Sequence, residues 1–286
     1  MIAPGEQVRK LAGGMAFTEG PVWMPSTRMV VFSDIPASRL MQWSAAGGLA
    51  VFRESEAANG NILDLDGRLV TCQHAGRNVV RTGTDGTVTV LAAGFDGKRF
   101  NSPNDAAVRS DGTLWFTDPP WGLDGAGDYP GHWVFRLDPA TGEVEPVVKD
   151  LAMPNGIVFS PDERRLYVAD TGGTPRHPDR ALRAKRAAIH CYAVDEDGRL
   201  DGELFQIDHG SDGMCVDERG NLYTTAGAIE VHDADGRPVE SIAVPEQPAN
   251  CAFGGDDMRT LFITARTSLY AVRTVNAGAK PPGARW

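Results

Sequence analysis

Short apolar runs alternate with polar residues along the chain, and the alternation has the period of two expected of strands. One phrase recurs: a turn rich in Asp and Gly, then an alternating apolar run that ends on a small or acidic residue. It reads STRMVVFSD ending at Asp34, DGRLVTCQ ending at Gln73 and DGTLWFTD ending at Asp118. It returns as DERRLYVAD ending at Asp170, ERGNLYTTA ending at Ala226 and DDMRTLFITA ending at Ala265. The equivalent apolar positions Val30, Leu69, Leu114, Leu166, Leu222 and Leu261 are spaced by 39, 45, 52, 56 and 39 residues. A repeat of this length built from short strands predicts a four-stranded propeller blade. Six copies predict an all-β, six-bladed β-propeller over residues 1–286 as one domain. A β-sandwich also sets turn signals at short intervals, but six copies with one internal order favour the propeller. Helical periodicity is confined to ALRAKRAAIH (181–190), inside a loop. The stretches before Val30 and after Leu261 are each about half a blade long, so the two ends are expected to share a blade and close the ring, which removes a free sheet edge.

Ten or eleven residues before each marker stands an oxygen-bearing side chain: Glu19, Asn59, Asn104, Asn155, Asp212 and Asn250. In a propeller this register opens the innermost strand of each blade, at one rim of the central channel. Asn-Gly and Asp-Gly are turn formers, which accounts well for Asn59. It does not account for Glu19 or for the constant register. Glu, Asn and Asp without a His or Cys partner are hard-oxygen chemistry, suited to Ca²⁺, with Mg²⁺, Mn²⁺ or Zn²⁺ as alternatives. Without a cation two buried carboxylates repel, and one is driven to take a proton. The other reading is a satisfied polar plug.

The strand ends Asp34, Gln73, Asp118 and Asp170 fall on the same side as the ring and are expected around the site. The loops that follow would wall a pocket. Two are long, PPWGLDGAGDYPGHW (119–133) and TGGTPRHPDRALRAKRAAIH (171–190), and loops of this length in a compact fold are usually functional. A third, HAGR (74–77), brings His74 and Arg77, with a structural role the alternative for His74.

Composition narrows the partners. The net charge is −10 with a pI near 5.1. That argues against nucleic acid and anionic membrane surfaces as partners and tolerates a bound cation. No apolar run approaches the length of a membrane span, and the N-terminal residues do not read as a signal peptide. Cys72, Cys191, Cys215 and Cys251 are scattered, as buried thiols of a reducing compartment would be, and cytoplasm is the expected location.

These segments together resemble the gluconolactonase / senescence marker protein (regucalcin) / luciferin-regenerating enzyme family. The similarity runs through FTEGPVW, TCQHAGRNVVR, NSPNDAAVRSDGTLWFTDPPWGL, MPNGIVFSPDERRLYVADT and GSDGMCVDERGNLYTTA. The resemblance implies a divalent cation held by Glu19, Asn155 and Asp212, with Asn104 at or near it. It also implies Asp212 as acid/base. The animal members carry Arg where this chain has Ser102, and a Glu where it reads Pro-Pro-Trp-Gly. The chain is closer to the bacterial lactonase-type members, with Asn101, Asn104, His74 and Arg77 as polar substrate contacts and Trp121 as a platform for a sugar ring or a core residue of its loop. The expected reaction is metal-assisted hydrolysis of a sugar lactone. No G-x-S-x-G elbow or phosphate loop offers a different chemistry. The rivals are a phosphotriesterase of the diisopropyl-fluorophosphatase type and a non-catalytic scaffold with a structural ion. An open polar pocket over the ring distinguishes an enzyme from a scaffold.

Overall fold

The computed structural model describes residues 1–286, and its strands form six four-stranded antiparallel sheets. The first is Thr18–Met24, Met29–Asp34, Arg39–Ser44 and Gly48–Glu54. The next four begin on the inner strands Ala58–Leu63, Ala106–Val108, Pro154–Phe159 and Met214–Val216. The sixth is made of Pro248–Gly254, Thr260–Ala265 and Ser268–Arg273, completed on its outer edge by Arg9–Gly13. The two ends of the propeller do share a blade, and the antiparallel pairing Arg9↔Ala271 closes the ring.

The blades are welded by apolar contact. Six buried clusters each join residues of two neighbouring blades, as Ala107, Trp115, Ile157 and Val168 do between the third and fourth. All six equivalent positions of the repeat, from Val30 to Leu261, are at most 1% exposed. The second strands are buried on both faces, because each blade is packed between two neighbours, and burial of apolar surface is the main favourable term in such packing.

The long loops run over 119–132 and 171–187, each a little shorter than the sequence suggests, because strands resume at Trp133 and Ala188. The helical expectation for 181–190 is not met. Only Arg180–Leu182 makes a 3₁₀ turn, capped by the Asp179 side chain, and Ala188, Ile189 and His190 pair instead with Asp170, Ala169 and Val168. A full ladder of sheet hydrogen bonds outcompetes a short exposed helix, which is marginal alone. No helix is long and apolar enough to cross a membrane.

The far mouth of the channel is strapped by the segment after Arg273. Ala279 N donates to Val216 O at 3.1 Å, Arg285 N to Leu65 O at 2.9 Å and Trp286 Nε1 to Asp64 O at 2.9 Å. The strap roofs an apolar cavity of about 190 Å³, whose walls include Val22, Val108, Phe159 and Phe253. Cys72, Cys191 and Cys251 are buried free thiols. Cys215 is only half-buried and, contrary to the scattered spacing, lies with its Sγ 3.4 Å from that of Cys251.

Candidate active site

The ring residues stand where the inner strands begin, and a local irregularity aims them. In the first, second and fourth blades the ladder slips between Glu19 and Val22, Ala58 and Asn61, and Pro154 and Ile157. Such bulges turn a side chain out of the regular alternation. The result is a girdle of hydrogen bonds. Asn59 Nδ2 donates to Asn104 Oδ1, Asn104 Nδ2 to Asn155 Oδ1 at 2.6 Å, and Asn155 Nδ2 to Asp212 Oδ1 at 2.8 Å. From the other side Asn250 Nδ2 donates to Glu19 Oε2 at 3.0 Å. The Glu19 and Asp212 carboxyls each accept from one arm of this girdle, both line the cleft above it, and the Asp212 charge bears on Glu19.

The Gly that follows four of the ring residues is required by this packing, not by a turn. A Cβ on Gly156 would lie 2.4 Å from Asp212 O, and one on Gly20 would lie 2.2 Å from Asn59 O. Gly156 N donates to that same Asp212 carbonyl at 2.7 Å. Inner strands of adjacent blades therefore touch backbone to backbone, a distance only Gly permits.

Burial dominates the electrostatics. Glu19 is 2% exposed, and desolvation, followed by the neighbouring Asp212 and Asp105 charges, raises its carboxyl well above the usual range. Asp212, the one half-buried ring member, is raised to about 6, again mainly by desolvation, while Asn155, Glu19 and Arg266 act to lower it. His74 is buried and its imidazole pushed toward the neutral form by desolvation. Its Nε2 lies 3.0 Å from Asn104 Oδ1 and 3.1 Å from Asn59 Nδ2.

Above the ring opens a cleft of about 480 Å³, and Glu19, Asn59, His74, Asn104, Asn155 and Asp212 line it. Trp121 joins them and is 42% exposed, so it faces the cleft and not the core of its loop. Two other expected contacts stand elsewhere. Asn101 is buried, and its Nδ2 donates to Asp118 O at 3.1 Å and Gly131 O at 3.2 Å, which clamps the 119–132 loop. Arg77 reaches outward to Phe100 O and to Asp128 at 3.1 Å. The strand ends do not line the cleft either. Asp34, Gln73, Asp118 and Asp170 each turn at least one oxygen to a backbone N–H group of the segment leading into their own blade, such as Asn101 N on Asp118 Oδ2 at 2.8 Å and Met153 N on Asp170 Oδ1 at 2.8 Å.

Sequence reading passed over Asp105, a third channel carboxylate. It occupies the register that Gly holds in four blades, and that departure was the available signal. Burial raises it to about 7. It also passed over Phe17 and Gln247 on the cleft wall, which no repeat position marks.

The donor set on the cleft floor fits a hard divalent cation: the carboxyls of Glu19 and Asp212 with the carboxamides of Asn59, Asn104 and Asn155, while Asn250 turns its oxygen to Cys251 N.

A six-bladed propeller with an all-oxygen ring under an open polar cleft is the class that fold and site define. The chain belongs to the SMP-30/Gluconolactonase/LRE-like family, whose model matches residues 17–267. A gluconolactonase of Zymomonas mobilis is 31% identical, with 95% of this chain and 82% of that protein covered. A pentonolactonase of Haloferax volcanii is 28% identical, with 86% and 80% covered. Among solved structures, a gluconolactonase from Xanthomonas campestris superposes with a TM-score of 0.85 at 32% identity, over 95% of this chain and 91% of that one.

Proposed function

We propose that the protein hydrolyses sugar lactones with the help of one hard divalent cation, most suitably Ca²⁺. The observation that carries this reading is that the Glu19 and Asp212 carboxyls line one cleft together with the Asn59, Asn104 and Asn155 carboxamides, and that this cleft is large enough for a sugar. The lactonase names of the sequence relatives support the substrate class. Glu19, Asn155 and Asp212 would hold the cation, with Asn104 beside them. When bound, such an ion supplies Lewis-acid polarisation of the lactone carbonyl.

The residues have separable tasks. Asp212 takes a proton from the attacking water as the carbon–oxygen bond forms. It returns that proton to the ring oxygen as the ring bond breaks, leaving an open-chain hydroxy acid. Burial raises the Asp212 carboxyl to about 6 in the absence of an ion, and a bound cation would lower it, so the group would be ionised and free to accept a proton at neutral pH. Asn104, fixed by Asn59, His74 and Asn155, orients the carbonyl end. Trp121 offers a flat apolar face to the sugar ring. The open polar cleft speaks against a scaffold with a closed ion shell.

The test is hydrolysis of glucono-1,5-lactone and a pentono-1,4-lactone, followed as acid release, before and after EDTA and after Ca²⁺ is restored. Metal-reversible turnover is expected. A folded protein that opens neither lactone in any divalent metal would sink the proposal.

A further inference from the structure

The tip of the hairpin between Thr260–Ala265 and Ser268–Arg273 carries Arg266 at the rim of the cleft. Its backbone is tied to the inner strand of the first blade, because Arg266 O accepts from Thr18 N at 2.7 Å and from Thr18 Oγ1 at 3.2 Å. Thr18 is the residue before Glu19, so the tip sits directly beside the ring. Arg266 has a φ of +44°, in the left-handed region where two-residue hairpins usually place Gly or Asn. Its guanidinium carbon lies 5.9 Å from the centre of the Phe17 ring, and its Nη2 donates to Gln247 Oε1 at 2.8 Å. Phe17 and Gln247 both line the cleft.

Two other cations near this face are held in ion pairs. Arg77 pairs with Asp128 at 3.1 Å and Lys185 with Asp170 at 3.3 Å. Arg266 is exposed and has no carboxylate within ion-pair distance, although Glu246 stands nearby on Thr267 and Ser268. Its Nε and Nη1 make no hydrogen bond, nor does Gln247 Nε2. Two rigidly placed donors at one rim are thus left for a ligand. The same guanidinium is the cation whose field reaches the Asp212 carboxyl.

We propose that Arg266, steadied by Phe17 and Gln247, selects lactones that carry an anionic substituent on the end of the sugar away from the carbonyl. This deepens the lactonase reading and rests on it. A planar guanidinium presents paired donors that match carboxylate, phosphate or sulfonate oxygens, which a neutral hydroxyl matches less well. The Phe17 ring, 5.9 Å from the guanidinium carbon, and the bond to Gln247 Oε1 steady the side chain beside the cleft. The uncharged end of the lactone would remain with Asp212 and Asn104.

The experiment compares kcat/KM of the metal-loaded wild type, Arg266→Gln and Arg266→Lys on glucono-1,5-lactone, 6-phosphoglucono-1,5-lactone and glucaro-1,4-lactone. The ratio of charged to neutral substrate should fall at least tenfold in Arg266→Gln, chiefly through KM. Arg266→Lys should recover part of it. Which charged lactone responds separates a phosphate from a carboxylate as the anion read. An unchanged ratio in Arg266→Gln overturns the proposal. If no lactone is opened at all, the function itself fails, and calorimetry with 6-phosphogluconate then judges Arg266 alone. Equal binding by wild type and Arg266→Gln, or binding by neither, would overturn the assignment.

Discussion

Asn155 Nδ2 donates to Asp212 Oδ1 across 2.8 Å, and that bond ties the fourth blade to the fifth at the most exposed member of the ring. One Asp212 oxygen is therefore held by the neighbouring blade. A carboxylate so fixed cannot swing, which suits a group that must stay in line with both the attacking water and the leaving ring oxygen.

Asp212→Asn keeps the size of the side chain and one ligand oxygen while deleting the base. The variant should lose about 10²–10⁴-fold in kcat, the usual range for a general base, at metal concentrations that fill the site. The check is kcat with metal occupancy measured on the same sample. Turnover near wild type would transfer the base role to another group, His74 first.

Glu19→Gln removes one of the two carboxyls that would face the ion. Calcium affinity by calorimetry should drop sharply, while the metal-free variant should be more stable than wild type above neutral pH. The second effect follows from the raised Glu19 carboxyl: burial and the Asp212 charge make its ionised form costly in the folded state. Unchanged Ca²⁺ affinity would remove Glu19 from the metal site.

Asp118 should make stability fall as pH rises. Burial raises its carboxyl to about 8 against an ordinary 3.8, and its Oδ1 is buried without a partner. The folded state holds the proton more tightly than the unfolded chain. Its stabilising effect is complete below about pH 4 and is lost as pH climbs through 8, at about 1.4 kcal/mol for each pKa unit of separation. Thermal melts from pH 5 to 8.5 should show a decline in wild type and a shallower one in Asp118→Asn. Parallel curves would contradict this.

Gly156→Ala tests the close approach of blades. The added methyl would lie 2.4 Å from Asp212 O and must push the fourth and fifth inner strands apart. A loss of about 1–3 kcal/mol is expected, as for other overpacked sites. Activity should fall further than stability alone explains, because the displaced backbone carries Asp212. Denaturant unfolding paired with kcat under folded conditions checks both parts.

Much of this was legible in the chain. The six buried positions from Val30 to Leu261 and the oxygen ring could be read because a propeller repeats one register, so sequence spacing becomes spatial symmetry. What spacing does not contain is the direction of a side chain at a strand end. Asp34, Gln73, Asp118 and Asp170 were placed at the correct end of each blade, yet they turn back to cap backbone N–H groups and leave the cleft to others. Asn101 and Arg77 show the same effect: each lies near the site in sequence but donates to a backbone carbonyl away from the cleft. The Asn-Gly and Asp-Gly pairs looked like turns because contact between blades has no local signature. Arg266 and Gln247 lie outside the repeat altogether, in connections whose length and composition vary freely.

The pairing of Arg9–Gly13 with Ser268–Arg273 has a consequence for synthesis. At typical rates of about 5–20 residues per second, a ribosome makes Ser268 between about 13 and 50 s after Gly13. Throughout that interval the early strand has no partner, and the growing protein is an open arc with an unprotected edge at each end. Glu19 likewise emerges long before Asp212, so cation binding cannot assist the early blades. Assembly of the ring and of the site it carries is therefore a single late event, and the unfinished arc is the state in which the nascent protein is most exposed to aggregation.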